Sequence, residues 1–162
     1  MHKIILADLS SSEYADTIVR LLNAYAKDVM GGGSGLSDYT KGNLFAELRK
    51  RKNCYVVLAF VGEAPAGLAI CFEGFSTFAC KPILNLHDFV VVPEFRGQGL
   101  ARAMLSKVEG MANDLGCCKL TLEVLEGNKR AQKIYRRFGF VGYELDPVMG
   151  RAMFYEKQLK AG

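Results

Sequence analysis

Val91-Val-Pro-Glu-Phe-Arg-Gly-Gln-Gly-Leu-Ala101 joins an apolar run to an amphipathic one, and its reading decides the fold. On its N-terminal side, residues 85–92 are rich in valine and stop at Pro93, which cannot donate to a sheet ladder. They read as a strand. On its C-terminal side, from Gln98 onward, Leu100, Ala101, Met104, Leu105, Val108, Met111, Ala112 and Leu115 recur at three- and four-residue steps. That spacing is one face of a helix, which Gly116 is placed to end. The first turn of this helix has no Ser, Thr, Asp or Asn to cap it, so its backbone N–H groups are left to solvent or to an anion. Gly97 and Gly99 remove the Cβ atoms that would hold a ligand away. Arg96, Arg102 and the helix dipole favour negative charge there. A pyrophosphate fits these features. A glycine-rich turn that merely connects two elements has the same composition, and the spacing is not the G-x-G-x-x-G of a dinucleotide fold.

Working outward, residues 3–7 read as a short strand. A helix started by Ser10 or Ser11 carries Tyr14, Ile18, Leu21, Leu22 and Tyr25 on one side. Residues 31–35, Gly-Gly-Gly-Ser-Gly, form a flexible loop. A second helix begins at Asp38 or Thr40 and continues through Leu44, Phe45 and Leu48. Residues 54–61 and 66–72 make a hairpin joined by Gly62-Glu-Ala-Pro65, and residues 75–82 are a loop with exposed aromatics. Residues 119–124 form a strand. Residues 128–138 form a helix closed by Gly139, and residues 140–143 and 151–157 are the last two strands. A strand–helix–strand unit over residues 84–124 implies parallel neighbours joined by a crossover. The expected fold class is α/β, a mixed central sheet with helices on both faces. Within the strand that leads to the glycine turn, alternation holds from Leu84 to His87 and breaks at Asp88-Phe89. This change of phase predicts a β-bulge; a strand buried on both faces is the alternative.

Composition narrows the function. A chain of 162 residues, half of them apolar, has enough apolar content for a single domain over residues 1–162. No apolar run approaches the roughly 18 residues of a membrane span. Asp8, Glu13 and Asp16 interrupt any signal-like N-terminal pattern, and a cytoplasmic location is expected. The five cysteines are odd in number, and adjacent Cys117 and Cys118 make a poor disulfide framework, so buried free thiols are expected. With only His2 and His87, and no Cys-x-x-Cys pair, no metal site is expected. The net charge of +4 is dispersed and accompanies no nucleic-acid-binding motif, so no nucleic-acid partner is expected. A polyanionic ligand accounts for the local excess at Arg96, Arg102, Lys129 and Arg130, whereas Lys133, Arg136 and Arg137 read as a solvated helix face.

The run Arg96-Gly-Gln-Gly-Leu-Ala101 resembles the R/Q-x-x-G-x-G/A signature of the GNAT superfamily of acyl-CoA-dependent N-acetyltransferases. The preceding strand ending in Val-x-Pro is similar, as is Asn128-x-x-Ala131-x-x-x-Tyr135 followed by Gly139-Phe140. The resemblance implies two parallel strands that splay apart, with the pantetheine of acetyl-CoA lying between them. It implies main-chain pairing at Phe89, Val90 and Val91. It places the diphosphate on Arg96, Gly97, Gln98, Gly99, Leu100, Ala101 and Arg102, with further contacts from Asn128 and Arg130. Tyr135 occupies the general-acid position. Without the resemblance, Tyr135 belongs to an apolar stripe and Asn128 is a helix cap.

Direct acyl transfer to an amine poses two proton problems. The acceptor ammonium, with a pKa near ~10, must lose a proton before it attacks, and the departing thiolate, resembling cysteine at about 8.5, leaves better when protonated. Backbone N–H groups at the bulge would stabilise the oxyanion. His87 is the candidate base, with Asp88, Glu73, Glu123 and a water chain as alternatives. The cysteines are not needed as acyl carriers. The expected function is transfer of acetyl from acetyl-CoA to a primary amine of a small molecule. The acceptor surface is expected from the first two helices, the glycine loop and residues 72–84, with Asp38 and Asp146 adding charge. A non-catalytic acyl-CoA sensor and a protein N-terminal or lysine acetyltransferase remain alternatives. Phe75 and Phe78 line either the acceptor site or a homodimer interface.

Overall fold

The computed structural model describes residues 1–159. Five strands form one sheet in sequence order: β1 (His2–Leu6), β2 (Cys54–Val61), β3 (Ala64–Ser76), β4 (Lys81–Val91) and β5 (Leu120–Leu122). Neighbours are antiparallel except β4 and β5, which are parallel. The helices are α1 (Ala15–Lys27), α2 (Asp38–Arg49), α3 (Leu100–Asp114) and α4 (Lys129–Phe138). The α/β class with helices on both faces is therefore as expected.

Strand β2, and β3 as far as Phe72, are apolar without interruption because both faces are covered. Successive side chains go to opposite sides. Val57, Ala59, Ala69 and Cys71 meet α3 through Leu100, Met104, Leu105 and Val108. Val56, Leu58, Leu68 and Ile70 meet α1 and α2 through Ile18, Leu21, Leu22 and Leu48. The α3 layer sits so close that a Cβ on Gly67 would lie 2.6 Å from the Met104 sulfur. A Cβ there would force the Met104 side chain to move.

The site is shaped by β4. Its pairing with β5 runs from Leu84↔Leu120 to Leu86↔Leu122, after which β5 ends and β4 continues to Val91 with its outer edge unpaired. The parallel strands part, as expected. On the β3 side, Ile70 faces Asp88 while Cys71 faces Leu86, leaving His87 as an extra residue. The predicted bulge is present, one residue before the break in alternation.

Several boundaries differ from expectation. The 75–82 loop is mostly ladder: β3 runs to Ser76, β4 starts at Lys81, and Phe75↔Pro82 and Ser76↔Lys81 are paired. Only residues 77–80 turn, while Phe75 and Phe78 are exposed as read. The β2–β3 connection shortens to Gly62-Glu63, and the register shift between Ala59 and Phe60 lets Pro65 sit in a strand. Ser11 bonds the Glu13 amide rather than capping α1, which starts at Ala15. Helix α2 starts at Asp38, capped by the Ser37 hydroxyl. Strand 119–124 contracts to β5. The strands expected at 140–143 and 151–157 do not form; only an isolated bridge, Glu144↔Arg151, remains, since no sheet edge lies against them. Buried thiols are found at Cys54 and Cys71, but Cys80 and Cys118 are exposed and Cys117 is partly so.

Candidate active site

The parting of β4 from β5 opens a cleft of about 1300 Å³. Its floor is the free edge of β4, its walls are α3 with the glycine turn on one side and α4 on the other, and its far end reaches α1. Of the residues singled out in the sequence, His87, Phe89, Val90, Val91, Arg96, Gly97, Gly99, Leu100, Ala101, Arg102, Asn128, Arg130 and Tyr135 all border it. Gln98 does not; it is exposed beside the cleft.

The glycine turn delivers bare amides to this space. Gly97 and Gly99 have φ of +81° and +83°, left-handed values that strain any residue with a Cβ. Gly99 is the N-cap of α3, and no side chain caps the helix. The first bond of α3 is Ala103 N–H to the Gly99 carbonyl. Among the described residues, the amides from Gly97 to Arg102 therefore donate to no carbonyl or side chain. Together with the macrodipole they form an anion seat. A diphosphate fits this cradle, and a pantetheine arm fits the unpaired edge of β4.

Arg96 is more constrained than the sequence suggested. Its Nε–H donates to the Val91 carbonyl at 2.8 Å, and Nη2 donates to Asp28 Oδ2 at 3.3 Å. Asp28 Oδ1 in turn accepts from the Met30 amide at 2.9 Å. That amide bond, and then Arg96, hold the Asp28 carboxyl below its usual range. The glycine turn is thus fastened both to β4 and to the segment after α1. Asp28 gave no signal in the sequence, because nothing local links it to a residue so distant in the chain.

Helix α4 forms the opposite wall. Asn128 caps it by accepting from the Ala131 amide at 3.1 Å, and Gly139 ends it at φ +107°. Lys133 and Arg137, read as solvated, border the cleft with Arg130, whereas Arg136 bonds Gln132 at 3.5 Å. Three- and four-residue spacing from Arg130 was the signal for this basic stripe.

Tyr135 is 8% exposed and packs against Phe89 and Phe140, with ring centroids 6.0 and 5.8 Å away. Among the described residues no group bonds its hydroxyl, which still keeps contact with solvent. Burial, then the nearby Tyr25, push its pKa well above the ordinary tyrosine range. A retained proton and an unoccupied hydroxyl are what a proton donor needs. At the bulge, His87 is exposed to the cleft and meets Phe72 edge-on at 5.3 Å. Asp88 is partly buried; desolvation raises its pKa and His87 partly offsets this. Tyr25 closes the far end, its own pKa raised by burial and by Asp88 and Asp28. Residues 72–84, Asp38 and Asp146 do not border the cleft. Burial pushes Cys54 up to about 11 and Cys71 up to about 12, which suits packing and not nucleophilic attack. Among the described residues no cluster could hold a metal ion.

A parted parallel pair, a bulged strand and an uncapped helix tip leave a cleft of a shape and charge suited to an extended anionic ligand. Residues 18–140 match the acetyltransferase (GNAT) family model, and the chain belongs to that family. It is 34% identical over 102 residues to a thialysine N-epsilon-acetyltransferase of Caenorhabditis elegans, covering 61% of this chain and 63% of that one. The enzyme of the same name from Bos taurus is 38% identical over 78 residues, 48% of this chain and 45% of its own. The chain thus spans about half to two thirds of the length of these relatives. An aminoglycoside acetyltransferase from a soil metagenome, solved with trehalose, superposes with a TM-score of 0.80 at 16% identity, covering 98% and 97% of the two chains. AAC(6')-Iy, solved with a CoA-linked bisubstrate analog, gives 0.71 at 18% identity over 98% and 99%. These structures share the fold.

Proposed function

We propose that this protein is an N-acetyltransferase that moves acetyl from acetyl-CoA directly to a primary amine of a small molecule. The observation that carries the reading is the row of unengaged amides from Gly97 to Arg102 beside the unpaired edge of β4. These amides, with Arg102, hold the diphosphate, while Arg96 fastens the turn that presents them. The basic stripe of α4 adds positive charge alongside. The free edge of β4 at Phe89 and Val90 orients the pantetheine and acyl carbonyl; the Val91 carbonyl is already taken by Arg96. Tyr135 gives its proton to the departing thiolate. His87, bordering the cleft at the bulge, accepts the ammonium proton, with Asp88 beside it.

A small amine is supported by the names of similar proteins, a thialysine and an aminoglycoside acetyltransferase. Aspartates 28 and 88 near Tyr25 give the acceptor end an acidic character suited to an ammonium. A homodimer and a cytoplasmic setting belong to the same reading. Free thiols support the reducing setting, and no helix among the described residues is long and apolar enough to cross a membrane.

The test is release of CoA from acetyl-CoA against a panel of amines that includes thialysine, polyamines and aminoglycosides. Amine-dependent release with N-acetylated product is expected. CoA binding without release across the panel would leave the sensor reading in its place.

A further inference from the structure

Asp28 stands where the chain leaves α1 and bends back over the helix end. The bend is held by bonds of its own. The Asp28 carbonyl accepts from the Gly31 and Gly33 amides, Gly35 donates to the Ala26 carbonyl, and Asn23 Oδ1 accepts from the Leu36 amide. A Cβ on Gly31 would collide with the Tyr25 carbonyl, so the loop lies folded down on the helix. Its cleft side is made by Asp28, Val29 and Met30, next to Tyr25 of α1. Among the described residues, one hydrogen bond joins this loop to the glycine turn, from Arg96 Nη2 to Asp28 Oδ2 at 3.3 Å. The Asp28 carboxylate is thus divided: Oδ1 caps the short helical turn Val29–Gly31 through the Met30 amide, and Oδ2 faces Arg96. Arg96 is aimed from behind, because its Nε–H is fixed on the Val91 carbonyl of β4. A planar guanidinium gripped at Nε has little freedom to follow a moving carboxylate, so displacement of the turn is passed to the loop.

We propose that Asp28 is a positioning residue: through Arg96 it ties the loop after α1 to the glycine turn, so that a cofactor settling on the turn also sets the wall that meets the acceptor. By linkage, an acceptor resting on that wall tightens cofactor binding by the same factor. The two side chains are 29% and 28% exposed, so the pair is partly screened and its effect is modest, about fivefold at most. Its place gives it consequence. It connects the bare amides of Gly97 to Arg102 with Tyr25 and Met30 at the far end of the cleft. The acceptor's part rests on the acetyltransfer reading; the tie itself does not.

Asp28→Asn separates the two halves of the carboxylate. Asn caps a helical turn as well as Asp does, so the bond to Met30 is kept, while the side-chain NH2 offers Arg96 no acceptor. In the unliganded full chain, hydrogen exchange of the amides of Met30, Gly31, Gly33, Gly35 and Leu36 should quicken about threefold to fivefold in Asp28→Asn. Arg96→Gln should quicken the same amides to a similar extent, and the double variant no further, since both remove one link. Saturating CoA should slow these amides in the wild type and leave them unchanged in Asp28→Asn, although the Gly97–Arg102 amides are protected in both. In turnover, Asp28→Asn should raise KM for the most rapidly acetylated amine of the panel about threefold to fivefold and hold kcat within about twofold. Additive exchange in the double variant, CoA-dependent slowing that survives Asp28→Asn, or a fall in kcat alone would overturn the proposal, even in an active enzyme. A chain that fails to bind CoA yet shows the non-additive exchange would sink the acetyltransfer reading and leave the tie standing.

Discussion

Tyr135 is packed as a core residue yet borders the cleft, so both roles that the sequence left open meet in one side chain. The rings of Phe89 and Phe140 pack against it and burial raises its pKa, while among the described residues no group bonds its hydroxyl. A phenol that holds its proton across the neutral range is available as a donor. Tyr135→Phe keeps the packing and removes the proton, so kcat should fall roughly 10²- to 10⁴-fold with CoA affinity retained. Steady-state kinetics beside calorimetry checks this; an unchanged kcat would take Tyr135 out of the mechanism. Asp88 invites a test of the opposite kind. Its carboxyl is raised by desolvation, so the folded protein binds its proton more tightly than the unfolded chain. That contribution is present below the unfolded pKa and is lost as pH rises through the folded one. Asp88→Asn should therefore stabilise the protein at pH 8, by roughly 1 kcal/mol, and bring no gain at a pH below the ordinary Asp value of about 3.9. Urea titrations at the two pH values decide it. A loss of stability at pH 8 would mean that the carboxylate is well solvated or paired.

At the scale of the element, the tip of α3 is the feature whose chemistry was most legible from sequence. Gly97, Gly99, the missing cap and the amphipathic stripe from Leu100 are all local, and local patterns survive folding. The bulge was equally legible, because a slip of one residue exchanges the two faces of a strand and so marks the alternation. What sequence hid depends on contacts far apart in the chain: the Arg96–Asp28 pair and the edge that the last strands lack. The hairpin at residues 77–80 was missed for another reason. Phe75 and Pro82 look like loop composition, but their pairing needs only one covered edge. Two substitutions separate seat from fastening. Gly99→Val forces a β-branched residue to φ +83° at the mouth of the amides, so CoA affinity should fall at least about tenfold, with a cost to folding of roughly 1–3 kcal/mol. Arg96→Ala frees the Val91 carbonyl and Asp28 together, so it should weaken CoA binding and raise the acceptor KM as well. An Arg96→Ala enzyme with unaltered affinity by calorimetry would confine Arg96 to a purely structural role.

Across the whole molecule, the cleft is bordered by residues of both apolar clusters. Leu86, Leu100, Leu105 and Tyr135 belong to the α3 layer, and Val90 to the α1 layer, yet all border the same space. A ligand seated there touches both layers and fills the gap the parted strands leave. Binding to the folded state alone therefore should stabilise the entire domain. At a CoA concentration 100 times its Kd, the gain is about 2.7 kcal/mol, which in a domain of this size raises Tm by roughly 5–10 °C. Because much of the attraction is charge on exposed amides and the basic face of α4, the shift should shrink with added salt as screening shortens its range. Inorganic phosphate occupies the α3 tip without spanning the layers, so its effect at equal concentration should be much smaller. Thermal melts with CoA, with phosphate and across a salt series test this directly, and equal shifts for the two ligands would reduce the cleft to an isolated anion site at one helix tip.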